Sequence, residues 1–131
     1  MKSRMLAAIT LVVCDYDEAI AWFTNSLGFV LREDTDLGHG KRWVRIAPSS
    51  SCETSILLAR ADGEAQLARV GDQTGGRVAL FLHTDDFTRD HRRMLEHGVT
   101  FLESPRTEPY GTVAVFEDLY GNRWDLIEPR T

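Results

Sequence analysis

An internal repetition at an offset of about 70 residues is the feature that most constrains the fold. Asp15 and Asp17 offer caps for the first predicted helix and Gly28 ends it; Asp85 and Asp86 do the same for the second, which Gly98 ends. An apolar, strand-like run precedes each helix, and three more strand-like runs follow it. The order of these segments predicts two β-α-β-β-β modules that arose by duplication.

The modules divide one predicted domain, residues 1–131, of the α+β class. Module one is predicted over about 5–59, a glycine-rich linker over about 60–76, and module two over about 77–128. Each four-stranded sheet has a helix on one face and leaves its other face uncovered. We expect the two uncovered faces to curl together into a half-closed trough that forms the ligand site.

The first strand has a second interpretation. Lys2 and Arg4 precede an apolar run from Met5 to Val13 that ends at Cys14, a pattern that resembles a short signal or lipoprotein peptide. We favour the strand, because cleavage would remove an element that has a counterpart in module two. Cys14 and Cys52 are too few for a disulfide framework, so we expect free thiols and a cytoplasmic protein.

The charge balance limits the class of partner. The 131 residues contain 15 Lys and Arg against 20 Asp and Glu, a formal net charge of −5. No block of basic residues is present, so neither nucleic acid nor an anionic membrane is expected as a partner. No apolar stretch approaches the ~20 residues that span a bilayer.

Three motifs in a fixed order carry a family resemblance. They are Leu-Val-Val-Cys-Asp-Tyr-Asp at 11–17, Thr-Asp-Asp-Phe at 84–87 and Phe-Glu-Asp-Leu-Tyr-Gly-Asn-Arg-Trp-Asp-Leu at 116–126. The third is the most specific, because its Asp, Gly-Asn and aromatic spacing is typical of a terminal hairpin in one superfamily. The chain resembles the vicinal oxygen chelate superfamily, which contains glyoxalase I, bleomycin-resistance proteins, fosfomycin-resistance enzymes and extradiol dioxygenases. The resemblance implies the glyoxalase/bleomycin-resistance fold.

The resemblance also implies metal-ligand positions, which this sequence mostly lacks. Catalytic members hold a divalent metal through a histidine on the first strand and a carboxylate on the last strand of each module. Counted back from the helix starts, the two histidine positions are Ala8 and Ala79, and residues 54–59 contain no carboxylate or imidazole. Asp125 alone retains an acid. We therefore expect no metal and assign no catalytic residue.

His83 is the best candidate for a displaced polar group. Strand alternation places it on the trough face with Phe81, and the resemblance places Asp125 on the same face. The imidazole either anchors a ligand or pairs with the acid as an acid/base couple, or it bonds only to backbone or water. For Trp43, core packing and a ligand platform both stay open. The predicted ligand-binding residues are Trp43, Phe81, His83, Phe101, Tyr110 and Asp125.

Two functional hypotheses follow. The first is a metal-free binding protein, similar to the bleomycin-resistance group, that sequesters an aromatic or cationic antibiotic or metabolite in the trough and confers antibiotic resistance. Such proteins are homodimers, so we expect a homodimer here. The second is a lyase, isomerase or dioxygenase of the same fold, with a divalent metal held by displaced ligands such as His83 and Asp125. A structural or regulatory module is a third possibility, and it explains the apolar trough less well.

Overall fold

The computed structural model describes residues 3–131, so Lys2 of the signal-like interpretation lies outside the described residues. These residues form nine strands and three helices in two sheets, which confirms the α+β class. The chain divides into two compact units, one ending at Val70 and the other spanning Gly71–Thr131. Among the described residues, no helix is long and apolar enough to cross a bilayer.

The first unit has the predicted order of elements. Its sheet runs β1-β4-β3-β2, with β1 parallel to β4 and the other pairs antiparallel. The Asp15 carboxylate accepts a hydrogen bond from the Glu18 backbone N–H at 2.8 Å, which caps the first helix as predicted. The elements are β1 Ala8–Val13, α1 Tyr16–Ser26, β2 Val30–Gly38, β3 Lys41–Ala47, β4 Ser55–Arg60 and α2 Glu64–Leu67.

The second unit repeats this topology with one strand divided. Its sheet runs β5-β9-β8-β6, and β7 pairs with the other end of β8. The Asp86 carboxylate accepts a hydrogen bond from the Arg89 backbone N–H at 3.1 Å and caps its helix. The elements are β5 Val78–His83, α3 Phe87–Glu96, β6 Thr100–Phe101, β7 Arg106–Glu108, β8 Gly111–Glu117 and β9 Arg123–Pro129.

Two element boundaries differ from the sequence prediction. The sequence pattern predicts a strand from Phe29 to about Glu33 and a turn over 34–40, but strand β2 continues to Gly38, where Asp34 hydrogen-bonds Arg42 of the paired strand β3. The short helix α2 lies within the segment predicted as an unstructured linker. The long β2 therefore carries acidic side chains that the sequence analysis assigned to a turn.

In each unit, a helix covers one face of the sheet. The Tyr16 hydroxyl of α1 accepts a hydrogen bond from the Arg42 backbone N–H of β3 at 3.2 Å. In the second unit, His91 of α3 contacts the ring of Phe101, with centroids 4.5 Å apart. We call the opposite face of each sheet its open face.

Candidate functional site

The most specific sequence motif builds the turn that precedes β9. Asp118 is only 5% exposed, and its carboxylate accepts hydrogen bonds from three successive backbone N–H groups at 3.0–3.1 Å. These N–H groups belong to Tyr120, Gly121 and Asn122. The Trp124 indole N–H donates to the same carboxylate at 3.0 Å, so the turn fixes the buried Trp124 at the start of the strand.

Strand alternation then places the next residue, Asp125, on the open face of the second sheet. Trp124 stacks with Phe116 on the helix-covered face, with centroids 5.7 Å apart. Asp125 lies directly opposite Phe81 of β5 on one side and Val115 of β8 on the other. Directly paired residues in neighbouring strands share a face, so a carboxyl group lies between an aromatic and an aliphatic side chain.

The two neighbours in this row differ sharply in exposure. Phe81 is 63% exposed, whereas Asp125 is only 8% exposed. The Oδ1 atom of Asp125 is buried and has no hydrogen-bond partner among the described residues. An exposed aromatic ring therefore lies beside a buried, unsatisfied acceptor.

Burial raises the pKa of Asp125 above its ordinary value. The positive charge of Arg106 acts in the opposite direction, and the negative charge of Glu103 adds to the increase. Ionisation of this carboxyl group is thus less favourable than that of a solvent-exposed aspartate, and a positive or hydrogen-bonding group that approached it would favour the ionised form.

The charges of Arg106 and Glu103 belong to a polar network beside strand β8, on the edge of the same sheet where β7 pairs. Arg106 lies opposite Val113 in the register, on the same face as Val115 and Asp125. Its guanidinium donates to Glu103 at 3.1 Å, to Glu108 at 2.9 Å and to the Tyr110 hydroxyl at 3.4 Å. Glu103 also accepts a hydrogen bond from the Val115 backbone N–H at 3.0 Å. The network brings Tyr110, which is 51% exposed, to the edge of this face.

The remaining predicted residues of module two lie in different places. His83 is exposed on the open face, but it pairs with Ile127 and so lies two residues along the strand from the Phe81 and Asp125 pair. Phe101 lies on the covered face, because its register partner is Phe116, and their rings are 5.6 Å apart. The expectation that Phe101 contacts a ligand on the open face does not agree with this placement, since its ring fills the space under α3.

Trp43 belongs to the open face of the first sheet. It is 40% exposed, and its indole N–H donates to Glu33 Oε1 at 3.1 Å. The same oxygen accepts a hydrogen bond from the Arg45 guanidinium at 2.8 Å. Arg42, the residue before it, contacts helix α1 on the opposite face. The core alternative for Trp43 is therefore wrong, and the indole is an exposed aromatic surface.

The donor set does not fit the divalent metal that the resemblance implies. Ala8 and Ala79 have no side-chain atom that can bind a metal. Strand β4 has no acidic side chain, and Ser55, which pairs with Ala8, has only a hydroxyl group. Within residues 3–131, no group of three His, Cys, Asp or Glu side chains lies close enough together to hold a metal ion. Asp125 is the one acid at a family position, so we derive no step through a metal.

Sequence reasoning missed the network around Arg106. The sequence pattern predicts strands at 100–103 and 111–117 and none between them, whereas Arg106–Glu108 forms strand β7 against β8. The alternation of Arg106 and Glu108 with a Thr between them, shortly before Gly111, is the signal that predicts a short paired strand with both charges on one face.

Comparisons with known proteins agree with this architecture. The profile described as the Glyoxalase/Bleomycin resistance protein/Dioxygenase superfamily matches residues 5–126. A protein of Shewanella frigidimarina (strain NCIMB 400) is 54% identical over 126 residues, which cover 95% of this chain and 93% of that protein. YurT of Bacillus subtilis (strain 168) is 28% identical over 127 residues, which cover 94% of this chain and 98% of that protein.

Two solved structures are similar over nearly the whole chain. UcmS2 has a TM-score of 0.83 at 31% identity and covers 98% of this chain and 99% of its own. TnmS3, described as an antibiotic binding protein from Streptomyces sp. CB03234, has a TM-score of 0.78 at 29% identity and covers 99% of each chain. The resemblance seen in the sequence is confirmed, and the chain belongs to the glyoxalase/bleomycin resistance protein/dioxygenase superfamily.

Proposed function

We propose that this protein binds an aromatic small molecule of the antibiotic class on the open face of its second sheet, without a metal. The observation that carries the proposal is the 63% exposed ring of Phe81, which lies beside the buried carboxyl group of Asp125. An apolar surface with a few placed polar groups is the usual composition of a small-molecule site. The likeness to TnmS3, an antibiotic binding protein, supports the same class of ligand.

Removal of the Phe81 ring tests the site. With a panel of aromatic antibiotics, we expect at least one to bind the wild-type protein and Phe81→Ala to weaken that binding about tenfold or more, because a stacked ring and its apolar contact area are lost. Leu95→Ala is the matched control, since Leu95 is a 49% exposed apolar residue on α3. Calorimetric titration of the three proteins measures the effect. Equal weakening by both substitutions would contradict the proposed location.

Metal independence is supported by the donor set, in which alanine occupies both histidine positions of the family pattern. Binding by protein dialysed against EDTA is expected to match binding by untreated protein, because direct contacts provide the affinity. Elemental analysis of protein purified without chelator gives a second measurement. A divalent ion near one per chain, together with loss of binding in EDTA, would favour the alternative hypothesis of a lyase, isomerase or dioxygenase.

The homodimer stays a prediction. Strand β2 is an edge of the first sheet, and it exposes Leu31 at 40% and Leu37 at 51%. The unpaired backbone N–H and C=O groups of an edge strand can pair with another chain, and exposed leucines add apolar area to bury. Sedimentation of the wild-type protein at micromolar concentration tests the expectation, and a monomer would contradict it. A cytoplasmic location also stays a prediction, which fractionation of cells would test.

A further inference from the structure

Asp125 is buried, yet one of its carboxyl oxygens has no hydrogen-bond partner among the described residues. Its Oδ1 is a buried side-chain oxygen without a hydrogen-bond partner within residues 3–131, and the whole residue is 8% exposed. Buried polar atoms in proteins are almost always hydrogen-bonded, and an unpaired one destabilises the folded state. A side chain that is retained in this condition is a candidate for a group that finds its partner in a ligand.

The neighbouring strands do not supply the missing partner. Phe81 and Val115, the two residues paired with Asp125, have no polar side-chain atom. The positive charge of Arg106 acts on the carboxyl group, but the guanidinium hydrogen bonds go to Glu103, Glu108 and Tyr110. The guanidinium is therefore already occupied by other acceptors.

Charge in this region favours a donor. The three carboxyl groups of Asp125, Glu103 and Glu108 outnumber the two guanidinium groups found with them, that of Arg106 and that of Arg130, which donates to the Glu108 backbone carbonyl at 3.4 Å. An approaching acceptor would meet unfavourable electrostatics, whereas a hydroxyl or protonated amine would meet an unpaired oxygen. The adjacent ring of Phe81 provides an apolar platform one strand away.

We infer that the carboxyl group of Asp125 is the polar recognition point of the ligand, and that the ligand is a flat aromatic molecule with a hydrogen-bond donor, a hydroxyl or a protonated amine, on its edge. The ring system lies against Phe81, and the donor reaches the Asp125 carboxyl group. This inference rests on the proposed function and adds the specificity-determining residue and the chemical class of the ligand.

Three naphthalenes substituted at the same ring position serve as probes: naphthol, naphthylmethylamine and methoxynaphthalene. They share the ring, but methoxynaphthalene has no donor. We expect naphthol, naphthylmethylamine or both to bind wild-type protein about tenfold or more tightly than methoxynaphthalene, because a hydrogen bond to a charged or buried acceptor contributes at least that factor. Ligand-observed NMR and calorimetry measure the dissociation constants.

Substitution of Asp125 should remove this discrimination selectively. In Asp125→Leu, the donor-bearing probes are expected to bind no better than methoxynaphthalene, whose own affinity is unchanged or increased. Asp125→Asn keeps the shape and one acceptor oxygen, so it is expected to retain part of the preference for naphthol and lose the preference for the amine. Asp85→Asn is the control for loss of one negative charge, since the Asp85 side chain is 89% exposed beside helix α3.

The outcomes separate this inference from the proposed function. If all three probes bind wild-type and Asp125→Leu protein equally, and Phe81→Ala weakens all of them, the aromatic site stands and the role of Asp125 is overturned. If an antibiotic binds but no donor-bearing naphthalene binds, the inferred ligand class is overturned. If neither the naphthalenes nor the antibiotics bind, both proposals fail.

Discussion

The two sheets share a strand order and both pair acidic side chains with arginine, but only the second also holds a buried carboxyl group outside such a pair. In the first sheet, Asp34 contacts Arg42 at 2.7 Å, and Glu33 contacts Arg45 at 2.8 Å. In the second sheet, Asp125 is more deeply buried and its Oδ1 has no hydrogen-bond partner among the described residues. The acids Glu33 and Asp34 of the first sheet thus serve structure, whereas the second sheet keeps one unsatisfied acid beside its paired ones.

The pKa values reflect this difference. The hydrogen bond from Arg42 lowers the pKa of Asp34, whereas burial raises the pKa of Asp125. A lowered pKa means that the ionised form stabilises the fold, and a raised pKa means that it destabilises the fold. The acid that does not support its own fold is the one to test for function.

The hairpins that lead into the last strand of each module differ as well. The β8–β9 turn is organised around the buried carboxylate of Asp118, as described above. The corresponding β3–β4 connection, residues 48–54, includes an exposed contact between the hydroxyls of Ser49 and Ser51 at 3.2 Å. The fold of the second unit therefore depends on one turn residue more strongly than that of the first.

Loss of the Asp118 carboxylate is expected to have the largest effect. Asp118→Ala leaves three backbone N–H groups and the Trp124 indole without their acceptor, and we expect the free energy of unfolding to fall by about 3 kcal/mol. Urea denaturation measures the change. Ser49→Ala in the corresponding loop is the control, with an expected change within about 0.5 kcal/mol. Equal effects in the two loops would remove the contrast between the hairpins.

Replacement of Asp125 by an apolar residue is expected to stabilise the protein. Asp125→Leu removes an unpaired buried oxygen between Phe81 and Val115, so we expect the free energy of unfolding at neutral pH to rise by about 1 kcal/mol. Because the pKa of this acid is raised on folding, its unfavourable contribution is present above the folded pKa and disappears as pH falls to the ordinary value of 3.8.

The difference between the variant and the wild type should therefore shrink between neutral and acidic pH. Thermal melts of both proteins at several pH values between about 7 and 4 measure it. A variant that is less stable than the wild type at neutral pH would indicate that the carboxylate has a structural partner.

A smaller effect of opposite sign is expected at Asp34. Asp34→Asn weakens a partly exposed ion pair with Arg42, which also contacts Asp17 at 2.9 Å, so we expect a loss of about 0.5 kcal/mol at neutral pH. The pKa of Asp34 is lowered on folding, so its stabilising contribution is present above the unfolded pKa and is lost as pH falls through the folded pKa. Denaturation at low and high salt measures it, and an effect that is insensitive to salt would contradict the ion-pair explanation.

Local chemistry made much of the fold predictable. Asp15 and Asp86 cap their helices as the sequence indicates, and alternation places Trp124 under a helix and Asp125 on the other face. These features depend on neighbours along the chain. The sequence pattern therefore predicts the repeated order of elements, and the family resemblance together with strand alternation predicts the orientation of the last strand.

Pairing between distant strands accounts for what was missed. Phe101 lies in a two-residue strand, and the side of the sheet that its ring occupies is set by pairing with Phe116, 15 residues later in the sequence. Strand β7 exists only because β8 binds it. Local alternation indicates the short strand at 106–108 but not its pairing partner, and it does not encode the register of Phe101, so Phe101 was assigned to the wrong face.

The Asp118 turn also bears on how such a protein changes over time. The turn and Trp124 hold strand β9 in register. The side chain at position 125 is therefore not needed to form the strand. A lineage with this hairpin can exchange the side chain at that position while its backbone stays the same. Ligand recognition and simple packing then become alternatives at a single position of an unchanged scaffold.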